Sequence, residues 1–379
     1  MKKLSGSSVS ASGAHWPDSS FISAWAMAKA ENKAGHKKFD TYNLPEWVRH
    51  PLISQPKKVA ILFPGEGNAV VGMCRDAKKS KKVQEMLETA TRVFGFDVGS
   101  MMASGPADTL NQSGFSGPLM YVANCAAYEV LKEKYPDVAG SPQAVAGVSV
   151  GEYSALYVAG VISYETGLSL VKTRTDAMSS FMREEAMDAI TIKGVDANKV
   201  EGMCNKAMKN DRDASDPQVH IAQISGPDTF VVAGIKSTVA KVEEAAKNDK
   251  KVSGVSALKG VGAMHTPVVG KPADTLGAAI DKILPMMKPP RCELYLNATG
   301  WRVPPGKSPL SFASAIKEQL TSAVIWEGAL DQMMRWGIKS FYECGPGRSI
   351  KTLLADVEFV TEAPYSVFKP ADAVVNVTV

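Results

Sequence analysis

The sequence predicts an α/β protein: a large domain with a mostly parallel sheet, carrying a small two-layer unit inserted within it. Three observations lead there. Short apolar runs alternate with helix-forming runs over most of the chain, the pattern of parallel strands joined by helical crossovers. Between 186 and 258 the order changes to strand-helix-strand-strand-helix-strand, which is ferredoxin-like. Finally, Gly147-Val148-Ser149-Val150-Gly151 follows the apolar Ala144, Val145 and Ala146 and precedes a helix-forming run. That is the strand-turn-helix setting in which a G-x-S-x-G pentapeptide has chemical meaning.

Taken in order, residues 1–56 form an N-terminal extension. Residues 1–15 are rich in Ser and Gly and are expected to be disordered, as the remnant of a removed targeting peptide or a cloning scar. Trp16, Trp25, Phe39, Tyr42, Trp47, Val48 and Leu52 are too much apolar surface for a free linker, so 16–56 is expected to pack on the main body or, failing that, on a second protein. Val59 to Phe63 reads as a buried strand running into the turn Pro64-Gly65-Glu66-Gly67. Helices are expected near 81–94 and 118–134, a strand before Gly147, and helices over 152–160 and 164–185. The insert, 186–258, has strands at 186–192, 218–224, 229–234 and 252–258, with helices at 196–209 and 236–249. The large domain, 57–185, resumes over 259–379 with helices at 271–286, 309–321 and 326–336, strands at 293–297 and 340–343, and a last helix after Gly347-Arg348.

Composition bounds the function. Of 379 residues, 45% are hydrophobic and 22% charged, ordinary for a soluble globular chain. A net charge of +4 is too small to argue for nucleic acid and would suit an acidic protein partner. The five cysteines are scattered and never in C-x-x-C spacing, which points to a reducing compartment with no disulfide framework and no zinc site. No stretch approaches 18 apolar residues, so no membrane span is expected.

The glycines flanking Ser149 suit a turn too sharp for Cβ atoms, with a helix N-terminus beneath the hydroxyl. Free N–H groups and the helix dipole there favour the negative charge that develops when a serine attacks a carbonyl. Taken alone, the pentapeptide fits a structural Gly/Ser turn equally well. Only His220 and His265 follow the serine; His220 falls in a predicted strand and His265 in a Gly-rich loop.

Several separated motifs agree: Leu62-Phe63-Pro64-Gly65-Glu66-Gly67, Gly147 to Leu156, Leu170-Val171-Lys172-Thr173-Arg174, His265-Thr266-Pro267, Gln319-Leu320 with Val324 and Trp326, and Glu343-Cys344-Gly345-Pro346-Gly347-Arg348. In that order, over about 57–355, the chain resembles the malonyl-CoA:acyl carrier protein transacylases and the acyltransferase domains of polyketide synthases. The resemblance implies an α/β-hydrolase-like large domain with a ferredoxin-like insert. It implies a malonyl group passed from malonyl-CoA to the phosphopantetheine thiol of acyl carrier protein, in fatty-acid synthesis, with no cofactor and no metal. Ser149 would be the nucleophile, His265 its base, and the Gln319 main-chain carbonyl the group that orients the imidazole. Arg174 would grip the malonyl carboxylate, and the N–H groups of Val150 and Glu66 would form the oxyanion hole. A monomer in the cytoplasm or an organelle matrix (plastid or mitochondrion) is expected.

The chain departs from the family's pattern at Glu66, where Gln is usual, at Val148, where His is usual, at Gly117, where Gln is common, and at Gln223 and Ser225, which replace asparagines. A carboxylate at 66 would repel a malonyl group unless turned outward or paired. Met264 is apolar, as in malonyl-selective relatives. Lysines at 78, 79, 81 and 82, and at 247, 250 and 251, fit either a carrier-protein surface or ordinary solvated faces. The alternatives are a polyketide-type trans-acting acyltransferase, a serine thioesterase, and a non-catalytic scaffold of the same fold.

Overall fold

The computed structural model describes residues 59–75, 77–209, 218–258, 262–355, 359–360, 367–368 and 374–377. The expected N-terminal arm and Lys78's side chain lie outside the described residues.

The strands are β1 (Val59–Phe63), β2 (Ala144–Gly147), β3 (Met187–Lys193), β4 (Val219–Gly226), β5 (Thr229–Ile235), β6 (Gly254–Ala257), β7 (Glu293–Tyr295), β8 (Arg302–Val303), β9 (Val324–Ile325), β10 (Ser340–Cys344), β11 (Phe359–Val360), β12 (Val367–Phe368) and β13 (Val374–Val377). The helices of eight or more residues are α1 (Lys81–Phe94), α2 (Ser116–Lys134), α3 (Gly151–Val158), α4 (Tyr164–Glu184), α5 (Ala197–Lys209), α6 (Lys236–Lys247), α7 (Gly270–Ile283) and α8 (Trp326–Arg335).

The main sheet runs β13-β10-β1-β2-β7-β8, parallel throughout except for the β7–β8 pair. β1 and β2 are buried along their whole length, which is why Val-Ala-Ile-Leu-Phe and Ala-Val-Ala-Gly show no polar alternation. α2 is buried from Ser116 to Leu131, a helix enclosed on every side rather than amphipathic. The carboxyl ends of β1, β2, β7 and β10 feed the turns that carry Glu66, Ser149, Asn297 and Gly345. This is the edge of a parallel sheet where ligands generally bind.

The second sheet runs β6-β3-β5-β4, antiparallel, in the ferredoxin-like order. The period of two sends Ile190 and Ile192 into a core with residues of α5 and α6, while Thr191 and Lys193 face a cleft toward the main sheet. A fifth strand, β9, comes from outside 186–258 and pairs parallel with β4. Two-residue strands have no periodicity to read, so sequence offers no sign of it.

The helix expected over 309–321 is instead a 3-10 turn, Pro309–Ser311, and a short helix, Ala313–Glu318, capped by Gln319. Carbonyls in a last helical turn have no intrahelical partner. The early stop therefore leaves the Gln319 carbonyl available, and β9 anchors the chain just beyond it. Among the described residues no helix is long and apolar enough to cross a membrane.

Candidate active site

Ser149 sits at φ +54° on the turn between β2 and α3, a left-handed conformation that a side chain adopts only under constraint. The constraint is local crowding. A Cβ on Gly147 would lie 2.1 Å from the Gly151 carbonyl carbon, and one on Gly151 would lie 2.4 Å from the Phe63 oxygen. No residue but glycine fits either place, so the turn that carries the serine closes tightly against the end of β1.

A side-chain clamp completes the turn. The Ser149 N–H donates to Asn297 Oδ1 at 2.7 Å, and Asn297 Nδ2 donates to the Gly147 carbonyl at 2.6 Å. The Asn297 N–H donates in turn to Glu152 Oε2 at 2.5 Å. Glu152 is fully buried, and burial pushes its carboxyl up to about 8 although the Asn297 N–H and neighbouring amides oppose the shift. Neither residue stood out in the sequence. Asn297 reads there as the polar end of an apolar strand, and only its place beside β2 gives it this work.

His265 is buried with φ +66°. Its Nδ1 lies 2.8 Å from the Gln319 carbonyl and its Nε2 lies 2.7 Å from Ser149 Oγ. A carbonyl only accepts, so Nδ1 carries the proton and Nε2 presents a lone pair to the hydroxyl. Burial, then the nearby Arg174 charge, lower the imidazole to about 3, against a smaller opposing effect of the Gln319 carbonyl. The ring is therefore neutral at pH 7. The Gln319 side chain also takes part: its Nε2 donates to the Ser149 carbonyl at 2.9 Å. The residue's identity thus matters beyond its backbone.

Arg174 lies on α4 and is 1% exposed. Its Nη2 donates to Ser149 Oγ at 3.1 Å and contacts Met264 Sδ at 3.0 Å. Its Nη1 binds Glu66 Oε1 at 2.5 Å, while Nε has no hydrogen-bond partner among the described residues. Burial pulls the guanidinium pKa down, but Glu66 and Tyr153 outweigh it and leave it above its ordinary value. Glu66 is thus turned inward and paired. A Cβ on Gly117 would lie 2.7 Å from Glu66 Oε1, so the bare start of α2 makes room for the carboxylate. Two separate departures in sequence, at 66 and 117, meet at one place.

The six residues singled out, Ser149, His265, Arg174, Gln319, Glu66 and Val150, adjoin one another. A cleft of about 1030 Å³ opens onto Ser149, His265, Glu66, Val148 and Met264, and its far wall is the open face of the insert sheet, where Thr191, Gln223 and Ser225 stand among apolar residues such as Ala222 and Val231. His220, on β4, is not among the residues lining it. The Glu343 carboxylate accepts the Ile350 and Lys351 N–H groups at 2.9 and 3.1 Å, capping the helix after the Gly-Pro-Gly-Arg turn. Lys79, Lys81, Lys82, Lys247, Lys250 and Lys251 are exposed, and Lys247 pairs with Glu243. Among the described residues no group of three or more His, Cys, Asp or Glu is placed to hold a metal.

The acyl transferase domain family model matches residues 61–346. The chain belongs to the acyl transferase domain family. The match takes in the serine turn, the arginine helix, His265 and Gln319. Among curated members, the human mitochondrial malonyl-CoA-acyl carrier protein transacylase is 28% identical over 314 residues, covering 81% of this chain and 78% of that protein. The Haemophilus influenzae malonyl CoA-acyl carrier protein transacylase is 28% identical over 312 residues, covering 80% and 95%. In structure, an acyl-carrier-protein S-malonyltransferase from Burkholderia pseudomallei aligns with TM-score 0.69 at 29% identity, covering 78% of this chain and 92% of that one. The transacylase from Coxiella burnetii aligns with TM-score 0.70 at 26% identity, covering 79% and 90%. The two-sheet architecture is that of this acyltransferase family.

Proposed function

We propose that this acyltransferase moves a malonyl group from malonyl-CoA to the phosphopantetheine thiol of acyl carrier protein, through an ester on Ser149. The observation that carries the reading is one hydroxyl meeting two groups: His265 Nε2 at 2.7 Å and Arg174 Nη2 at 3.1 Å. The first is a base and the second a fixed cation that suits a carboxylate one acyl chain away. The curated relatives named above carry the same activity in their names.

In the first half-reaction Ser149 Oγ attacks the thioester carbonyl carbon while Nε2 takes its proton. Charge on the carbonyl oxygen is met by the N–H groups of Val150 and Glu66, neither of which has a hydrogen-bond partner among the described residues. Collapse breaks the C–S bond, and the imidazolium returns its proton to the departing CoA thiolate. In the second, the carrier's thiol gives its proton to Nε2 and attacks the ester, and Ser149 recovers the proton as it leaves. Gln319 and Asn297 position the base and the nucleophile throughout. We place the enzyme as a monomer in cytoplasm or an organelle matrix; the human and fly relatives are named mitochondrial.

The test is mass spectrometry of protein mixed with malonyl-CoA. A malonyl adduct on the peptide carrying Ser149, discharged by carrier protein, is the expected result. Unmodified Ser149 under turnover conditions, or discharge to water alone, overturns the reading.

A further inference from the structure

A guanidinium that is to hold a substrate carboxylate ought to present both terminal nitrogens; in Arg174 both are engaged, and among the described residues only the buried Nε lacks a partner. Its Nη1 is already bound to Glu66 Oε1 at 2.5 Å, and its Nη2 is spent on Ser149 Oγ and Met264 Sδ. Arg174 is 1% exposed, and the Glu66 side chain, at 11%, reaches it from the cleft wall. Space for that reach comes from Gly117, where any Cβ would stand 2.7 Å from the carboxylate oxygen. The chain therefore carries its own carboxylate on the cation beside its nucleophile.

We propose that Glu66 is a resident competitor for the Arg174 fork and sets this enzyme's selectivity between carboxylated and uncarboxylated acyl groups. The inference rests on the malonyl-transfer reading. An incoming malonyl carboxylate must displace Glu66 from Nη1 or share one positive charge with it. In a site this buried, the unscreened repulsion between two carboxylates is large. An acetyl group meets no such opposition, because the Glu66–Arg174 pair is already neutral. Selectivity for malonyl over acetyl is thus held down by one side chain that does not touch the reacting bond.

The test is competition between malonyl-CoA and acetyl-CoA for Ser149, read by mass spectrometry, in the unaltered enzyme and in two variants. Glu66→Gln keeps the shape and removes the charge. Gly117→Ala keeps the charge and pushes it off Arg174; the residue lies in a helix, so alanine suits the backbone. Both are expected to raise the malonyl-to-acetyl ratio, Glu66→Gln by about tenfold or more, the scale of ~1.4 kcal/mol. Ser149 labelled in all three proteins with the ratio unchanged overturns the assignment to Glu66 and leaves the transferase reading standing. No label from either donor on any of the three overturns both.

Discussion

Replacing Asn297 tests whether the serine turn is held from outside. Asn297→Ala removes two buried hydrogen bonds, from the Ser149 N–H at 2.7 Å and to the Gly147 carbonyl at 2.6 Å. Both backbone groups are then left without a partner, at about 1–3 kcal/mol each, or roughly 2–6 kcal/mol together. The Glu152 contact survives, because it uses the Asn297 backbone N–H. Among the described residues the N–H of Ser149, at φ +54°, has no other acceptor, so the turn is expected to relax and carry Oγ away from Nε2. Misplacement of about 1 Å costs ~100-fold in rate. Asn297→Asp separates the two bonds: a carboxylate still accepts from Ser149 but cannot donate to Gly147, and it faces the Gly147 oxygen with its own charge. Thermal or urea unfolding and the rate of Ser149 acylation are the assays. An Asn297→Ala protein with unchanged stability and unchanged acylation would refute the clamp.

Arg174→Ala is expected to shift donor preference from malonyl toward acetyl, checked by kcat/KM for the two CoA thioesters; an unmoved ratio removes the arginine from carboxylate recognition. Because His265 is held down to about 3, the imidazole is neutral from pH 7 to well below 6, and the acid limb of the first half-reaction is expected far under the ordinary histidine range. Arg174→Ala removes one of the two causes of that depression, so histidine NMR titration should place His265 higher in the variant than in the parent. Glu152 runs the other way. Its carboxyl is raised from 4.5 to about 8, so the folded state holds its proton more tightly, and stability present below pH 4.5 is lost as pH rises through 8. Glu152→Gln is expected to flatten that slope, which is at most about 1.4 kcal/mol per pH unit; urea melts between pH 5 and 8 that keep the parent's slope would show the acid lies elsewhere.

The architecture was legible because its signals are local. β1 and β2 are apolar runs too short for helices, and the order of elements in 186–258 specifies the antiparallel sheet that forms there. Gly147, Ser149 and Gly151 are legible for the same reason: the crowding that excludes a Cβ arises within five residues and the strand beside them. Motif order supplied His265, Arg174 and Gln319 as separate points along the chain. It did not supply Asn297, Glu152, the Gln319 side chain or β9, whose partners are from 101 to 170 residues away or sit on another sheet.

What the amino-acid order determined by itself was the set of elements and the chemistry each turn could present, since propensity, periodicity and glycine geometry act over a few residues. What tertiary structure alone decided was the set of long-range partners and, through them, charge. Whether Glu66 faces solvent or a cation depends on where α4 delivers Arg174 and on the absence of a side chain at Gly117, 51 residues further along the chain. Desolvation sets the protonation of His265 and Glu152 in opposite directions, and it exists only once the chain has folded around them.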